Sequence, residues 1–151
     1  MGSQATLAQG TEITVSTDEV TDVNVTPAPA SEALQCITKQ IQYQPGNKTE
    51  IDITTLCSTA KEFLLGLKDP GTLTFTGFYK SAHPGFKVLK QGDKDSKSRL
   101  YTITFPDQTI IKVLGYVQAI PWSTAAEGVV DMTATIRLTG EAVETEPPET
   151  P

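Results

Sequence analysis

The sequence predicts a mainly β fold, an antiparallel β-sandwich with one flanking α-helix. Three observations predict it. Residues 129–138 alternate, with Val130, Met132, Ala134, Ile136 and Leu138 on one side and Asp131, Thr133, Thr135 and Arg137 on the other. That is the pattern of a strand with one face on a core and one toward water. Several other short alternating or apolar runs are separated by Pro, Gly and Asn turn residues, as in sandwich folds. Helical spacing is clear in one segment alone, and no repeat of solenoid or propeller length occurs.

Taken in order, residues 1–9 are polar and expected to be a flexible N-terminus. Thr11 to Ser16 (TEITVS) reads as a first strand with Ile13 and Val15 on one face. Residues 17–33 are acidic and hold a Pro-Ala-Pro-Ala unit that favours extended backbone outside any ladder. They read as a long loop or arm, a kind of segment that is usually functional in a compact domain. Leu34 to Gln44 is a second strand, closed by the turn residues Pro45-Gly46-Asn47. Thr49 to Thr54 (TEIDIT) is a third.

Thr59 followed by Glu62 matches a capping box, and Ala60, Phe63, Leu64 and Leu67 after it share one helical face. This spacing predicts the helix, ending near Gly66 to Asp69 ahead of Pro70. Thr72 to Lys80 is a strand with Leu73, Phe75 and Tyr79 on one parity. Residues 81–98 read as a loop with at most a helical turn at 86–90. Arg99 to Phe105 and Thr109 to Ala119 form a hairpin around Pro106-Asp107-Gln108, where Gln108 stands at a position that Gly would occupy at least cost. Residues 110–117 are apolar on both faces apart from Lys112, so both faces need cover, from the monomer or from a neighbouring subunit. Residues 10–140 thus form the domain, and 141–151 an acidic, Pro-rich tail.

The chain has 151 residues, 38% of them hydrophobic and 20% charged, enough for a single core. No apolar run approaches the roughly 20 residues that span a bilayer, so no membrane partner is expected. The opening MGSQATLAQG has no basic segment leading into an apolar one, so no secretory leader is expected. Net charge is −6, unevenly spread. Residues 1–33 hold five acids and no base, and 141–151 hold four acids and no base, leaving nine acids against all twelve bases between them. The one basic cluster, Lys87, Lys90, Lys94, Lys97 and Arg99, is interleaved with Asp93 and Asp95. It reads as a solvated loop and not as a nucleic-acid surface.

Little catalytic chemistry is available. The chain holds one His, two Cys and one Trp. His83 sits alone in a Pro-Gly loop without metal-ligand spacing around it, and neither G-x-S-x-G nor a phosphate-binding loop occurs. No metal, cofactor or enzymatic activity is expected. Cys36 and Cys57 could pair, but without a leader two reduced, buried thiols are the expectation.

Certain residues carry a likeness. Pro45-Gly46, Glu50 to Thr55 and the run Phe63 to Phe75 resemble the tail tube proteins of long-tailed, non-contractile bacteriophages. So do Phe105-Pro106-Asp107 in its hairpin, the strand pair 109–119 and 129–138, and a closing Gly140. The resemblance covers about residues 10–140; Gln108 and the long acidic segment 17–33 depart from it. It implies a β-sandwich flanked by a helix, with six copies per ring and rings stacked into a hollow tube. It implies a virion protein assembled in the bacterial host cytoplasm. Its partners would be its own copies, the tape-measure and tail-terminating proteins, and double-stranded DNA passing without specific binding.

On that footing Asp131, Thr133, Thr135 and Arg137 are the candidate lumen face. Asp18, Glu19, Val20, Asp22, Val23 and Val25 are a candidate ring-contact arm. Two other readings fit the same patterns: a monomeric β-sandwich binding or decoration module of a virion or cell surface, and a secretion-system tube protein.

Overall fold

The structure, a computed structural model, describes residues 9–26, 28–126 and 128–146. Its elements are β1 (Glu12–Ser16), β2 (Ser31–Ala33), β3 (Thr38–Gln44), β4 (Lys48–Asp52), β5 (Phe63–Lys68), β6 (Thr72–Phe78), α1 (Pro84–Asp95), β7 (Arg99–Thr104), β8 (Ile110–Ala119), β9 (Trp122–Ser123) and β10 (Asp131–Thr145). The main sheet runs β2-β1-β7-β8-β10-β6-β3, with β9 added to β10, and its pairings are antiparallel. β4 and β5 form a separate two-stranded hairpin.

The sheet is curled on itself. Phe75 of β6 and Tyr101 of β7 lie 5.8 Å apart by ring centroid although β8 and β10 stand between their strands. Flat strands are spaced about 4.8 Å, so three steps would separate them by roughly 14 Å. The curl folds β1 and β7 over β6 and β10, and the space between is the core of the sandwich. Ile13, Val15, Leu73, Phe75, Tyr101, Ile103, Val113, Met132, Ala134, Ile136 and Leu138 fill it.

The predicted alternation holds in β1, where Ile13 and Val15 are buried, and in β10, where Met132, Ala134, Ile136 and Leu138 are buried. Val130 precedes β10 and is exposed. In β6 Leu73 and Phe75 are buried, while Tyr79 lies just past the strand end and is half-buried against Phe86. The turn between β7 and β8 places Gln108 at φ 75°, the left-handed region expected of Gly there.

The helix lies elsewhere than the spacing indicated. Residues 63–68 are strand β5, and the helix is α1, in the segment read as a loop. His83 caps α1, its Nδ1 accepting a hydrogen bond from the Gly85 amide at 3.1 Å, and Pro84 follows at the first helical position. Ser96 ends the helix at φ 55°, its amide bonded to the Gly92 carbonyl. Gly85, Phe86, Leu89 and Gly92 form the buried face, against β1, β2 and β8. Lys87, Asp93 and Lys94 occupy its outer side, while Asp95 reaches the buried Arg99. Leu34 to Gln44 is likewise not one strand: β2 and β3 are separated by a turn at 35–37. Both cysteines are free and exposed, not buried.

β10 runs on to Thr145, past a bulge at Thr139/Val143, and pairs with the start of β8. Residues 141–145 are therefore strand and not tail, and the rest of the expected tail beyond Glu146 lies outside the described residues. Of the expected flexible N-terminus, residues 1–8 also lie outside them.

Gly71 sits at φ 92°, and a Cβ there would run into the Gln44 carbonyl oxygen. Gly71→Ala combines left-handed strain of about 1–2 kcal/mol with that collision. A loss of roughly 2–4 kcal/mol is expected, read as a lowered midpoint in thermal or urea unfolding.

Candidate functional site: an apolar hairpin, a neutral sheet face and a valine strap

Three surfaces of this chain stand out as candidates for contact with other molecules. The first is the β4–β5 hairpin. Ile51, Ile53, Leu56, Phe63, Leu64, Leu65 and Leu67 are all exposed, Leu67 to 92%. The segment FLLGL is apolar at nearly every position and so fits a helical or an extended period equally. The β4 partner decides in favour of extended backbone, with Ile51 opposite Leu64 and Asp52 opposite Phe63. Glu62 of the expected capping box serves the hairpin end. Glu62 donates its amide to Thr54 Oγ1 at 2.9 Å, and Ser58 Oγ donates to Glu62 Oε2 at 3.0 Å. Asp52 accepts from the Thr54 amide, and hydrogen bonding by Thr54, its side chain first and its amide second, holds the carboxyl below the usual range. Two-stranded hairpins standing alone are marginal in water, and one with this much exposed apolar area marks a contact surface.

The second surface is the outward face of β3, β6 and β10. Direct partners across an antiparallel ladder share a face. Gln40, Gln42 and Gln44 of β3 stand opposite Thr76, Thr74 and Thr72. Those threonines stand in turn opposite Thr133, Thr135 and Arg137 of β10. The result is a lattice of amides and hydroxyls. Its charges are paired locally: Asp131 with Lys39 at 2.9 Å and Arg137 with Asp69 at 2.8 Å. The Asp69 carboxyl is held below its ordinary range by the Gly71 amide first and by Arg137 second. Thus Asp131, Thr133, Thr135 and Arg137 do lie on one face, half-buried except for the exposed Arg137. Sequence reasoning did not find the Gln row of β3 or the Thr row of β6; the alternation T-L-T-F-T in residues 72–76 was the available signal.

The third surface is the segment 17–30. The Thr17 amide donates to the Ala30 carbonyl at 2.9 Å, closing the loop at its base. Val20 is buried against Leu100 and Leu114, with Val23 and Val25 beside them. The Val20 amide donates to the Ser98 carbonyl and Ser98 Oγ donates back to the Val20 carbonyl, at 3.0 and 2.8 Å. The valines of the expected arm therefore strap down onto the outer side of β7 and β8, while Asp18, Glu19 and Asp22 remain exposed. This strap covers Leu114, which explains why residues 110–117 are apolar on both faces. Residues 31–33, counted with the arm, belong to β2.

Among the described residues no group of three His, Cys, Asp or Glu could hold a metal ion, and no helix is long and apolar enough to cross a membrane. His83 is spent on capping α1.

A curled antiparallel sheet with an exposed apolar hairpin and an outer face whose charges are paired locally defines a structural subunit built to associate. The chain belongs to the lambda-like phage tail tube protein family, whose model matches residues 4–107. It is a structural protein of the phage tail tube, in a family that is not an enzyme class. No curated protein matches it in sequence.

Among solved structures, it resembles a chain of the virion of the native gene transfer agent particle, at 17% identity and a TM-score of 0.69. That match covers 93% of this chain and 99% of the other. A chain of the tail of the empty gene transfer agent particle, refined with C6 symmetry, matches at 17% identity and TM-score 0.68, with 93% and 99% covered. The SPP1 tail tube matches at 16% and 0.66, covering 94% of this chain and 80% of that one.

Proposed function

We propose that this chain is the repeating subunit of a non-contractile tail tube, forming hexameric rings that stack around a hollow lumen. The observation that carries this reading is the β4–β5 hairpin, whose large apolar side chains are left in water by the single chain. The cost of that exposure, about 25 cal/mol per Å², is recovered when copies cover one another. The number six is taken from the C6 symmetry of a structural relative's tail. A head-to-tail contact of this kind closes into a ring or propagates, depending on its rotation per step.

The Gln–Thr face of β3, β6 and β10, with Asp131, Thr133, Thr135 and Arg137, lines the lumen. Duplex DNA carries about one negative charge per 1.7 Å, so a wall with free lysines would retain it. This face offers hydroxyls and amides, and its charges are already neutralised by neighbours. The exposed acids of the strap, Asp18, Glu19 and Asp22, meet the next ring or the exterior, with Val20, Val23 and Val25 as their anchor. During assembly in the host cytoplasm the lumen holds the tape-measure protein, and terminating proteins cap the tube.

Sedimentation and negative-stain electron microscopy of the purified chain test this. Rings with six-fold class averages, alone or stacked, are the expected result. A folded monomer at all concentrations overturns the reading in favour of a binding or decoration module.

A further inference from the structure

We infer that the acidic, proline-bearing segment 144–151 of one copy docks in an aromatic notch edged by lysines on the next copy. This deepens the self-associating reading above and rests on it. The notch, of about 170 Å³, is lined by Tyr79, Phe86, Ile120 and Trp122, together with Lys90, Lys94 and one acid, Asp93. Tyr79 packs edge-on to Phe86 at 4.8 Å and to Trp122 at 6.4 Å. Lys90 Nζ donates to Tyr79 Oη at 3.1 Å and stands 5.4 and 5.8 Å from the Tyr79 and Phe86 ring centres. Trp122 is left 62% exposed. Lys87, Lys90 and Lys94 follow one another at i, i+3 and i+7, one stripe of α1. Among the described residues none of the three is in an ion pair.

Aromatic-lined hollows take proline-rich chain, and lysines take carboxylates. Residues 144–151 (ETEPPETP) hold three acids, no base, and Pro148 and Pro151 at the P-x-x-P spacing. Segment 17–30 has acids and prolines too, but its last acid, Asp22, stands five residues before Pro27, whereas Glu146 and Glu149 flank Pro147-Pro148. Reach decides which copy is met. Thr145 pairs with Ile110 at the start of β8, and Ile120 of the notch follows the end of β8. The ten residues of β8 span roughly 33 Å. Six extended residues carry Pro151 at most about 22 Å from Thr145, so the segment does not enter the notch of its own chain. It leaves one end of the sheet and the notch stands at the other, which makes the contact head-to-tail and repeating from copy to copy.

Trp122 is the one Trp of the chain, so its fluorescence reads the notch directly. On assembly its emission should shift to the blue and become shielded from acrylamide, relative to the same chain diluted below assembly. Glu146→Lys with Glu149→Lys, or Lys90→Glu with Lys94→Glu, should each raise the concentration needed for tubes about tenfold or more. A chain carrying all four changes should assemble as the unmodified chain does. Should Lys90→Glu lower the melting point, Lys87→Glu with Lys94→Glu takes its place, since both lysines are exposed. Tubes in which Trp122 stays as open to acrylamide as in the diluted chain would overturn the docking, as would ordinary assembly by either charge-reversed pair alone. Weakened assembly that the four changes together fail to restore would overturn the segment as occupant, in favour of the strap acids of a second copy. Absence of any assembly by the unmodified chain would overturn the self-associating reading, and this inference with it.

Discussion

Ile136→Asp is expected to unfold the domain or nearly so, while Thr135→Asp one residue away leaves it folded. Ile136 is fully buried in the middle of β10, opposite Leu73 on one side and Val117 on the other. Deleting a buried aliphatic side chain of this size costs about 2–5 kcal/mol. A carboxylate in its place has no partner, which adds several kcal/mol or forces the group to stay protonated. Since domains of this size are stable by about 5–15 kcal/mol, little would remain. Thr135 points the other way, opposite Thr74, and outward substitutions of this kind stay within about 1 kcal/mol. Circular dichroism melts of the two variants check this; equal losses would mean that the faces of β10 are wrongly assigned.

The second large effect is expected at the end of α1. The Arg99 side chain is 3% exposed and is held by Asp95 through two hydrogen bonds, Nη1 to Oδ1 at 3.1 Å and Nη2 to Oδ2 at 2.9 Å. Gly92 makes room for it, since a Cβ there would stand 2.9 Å from Nη1. Asp95→Ala leaves a buried guanidinium without its counter-ion, a change worth about 3–5 kcal/mol. Asp93→Ala, on the exposed side of the same helix, should be nearly neutral.

The hydrogen bonds from Arg99, above all, hold the Asp95 carboxyl well below the usual carboxylate range, and those from Asp95 push the Arg99 guanidinium up. The folded chain therefore binds the Asp95 proton less readily than the unfolded chain. Its stabilising contribution is complete above the unfolded value and is lost as pH falls through and below it. Urea unfolding between pH 5 and pH 2 should show a steeper acid loss in the wild type than in Asp95→Ala; parallel curves would contradict the pairing.

The main sheet was legible where one face is wet and one dry. In Asp131 to Leu138 and Glu12 to Ser16 the period of two is set by the core, and no competing period fits. The hairpin is not legible as strands because Phe63 to Leu67 is apolar at all but Gly66, and because its apolar side chains are exposed in the chain and follow no core. A segment whose apolar residues face outward gives no periodic signal from a core. The helix was obscured for the opposite reason. Phe86, Leu89 and Gly92 mark its buried side, but Gly92 contributes no hydrophobicity and lysines crowd the positions between.

The strap shows a third limit. Val20, Val23 and Val25 read only as part of an acidic candidate ring-contact arm, and residues 110–117 as a strand needing cover on both faces. That one covers the other through Leu100 and Leu114 follows from the backbone bonds between Val20 and Ser98, a contact 78 residues long in sequence. Cys36 and Cys57 were expected inside because free thiols usually are. They lie instead in the turns at 35–37 and 56–57, and both are exposed.

The most direct measurement compares the unmodified chain with one in which residues 48–68 are replaced by a short glycine-containing link. Gly46 and Asp69 already meet, the Gly46 amide donating to the Asp69 carbonyl at 3.1 Å, so the link closes without strain on β3 or β6. In analytical ultracentrifugation the unmodified chain should sediment as rings and stacked rings. The shortened chain should sediment as a monomer with an unchanged melting transition. Tubes of ordinary size from the shortened chain would contradict the account.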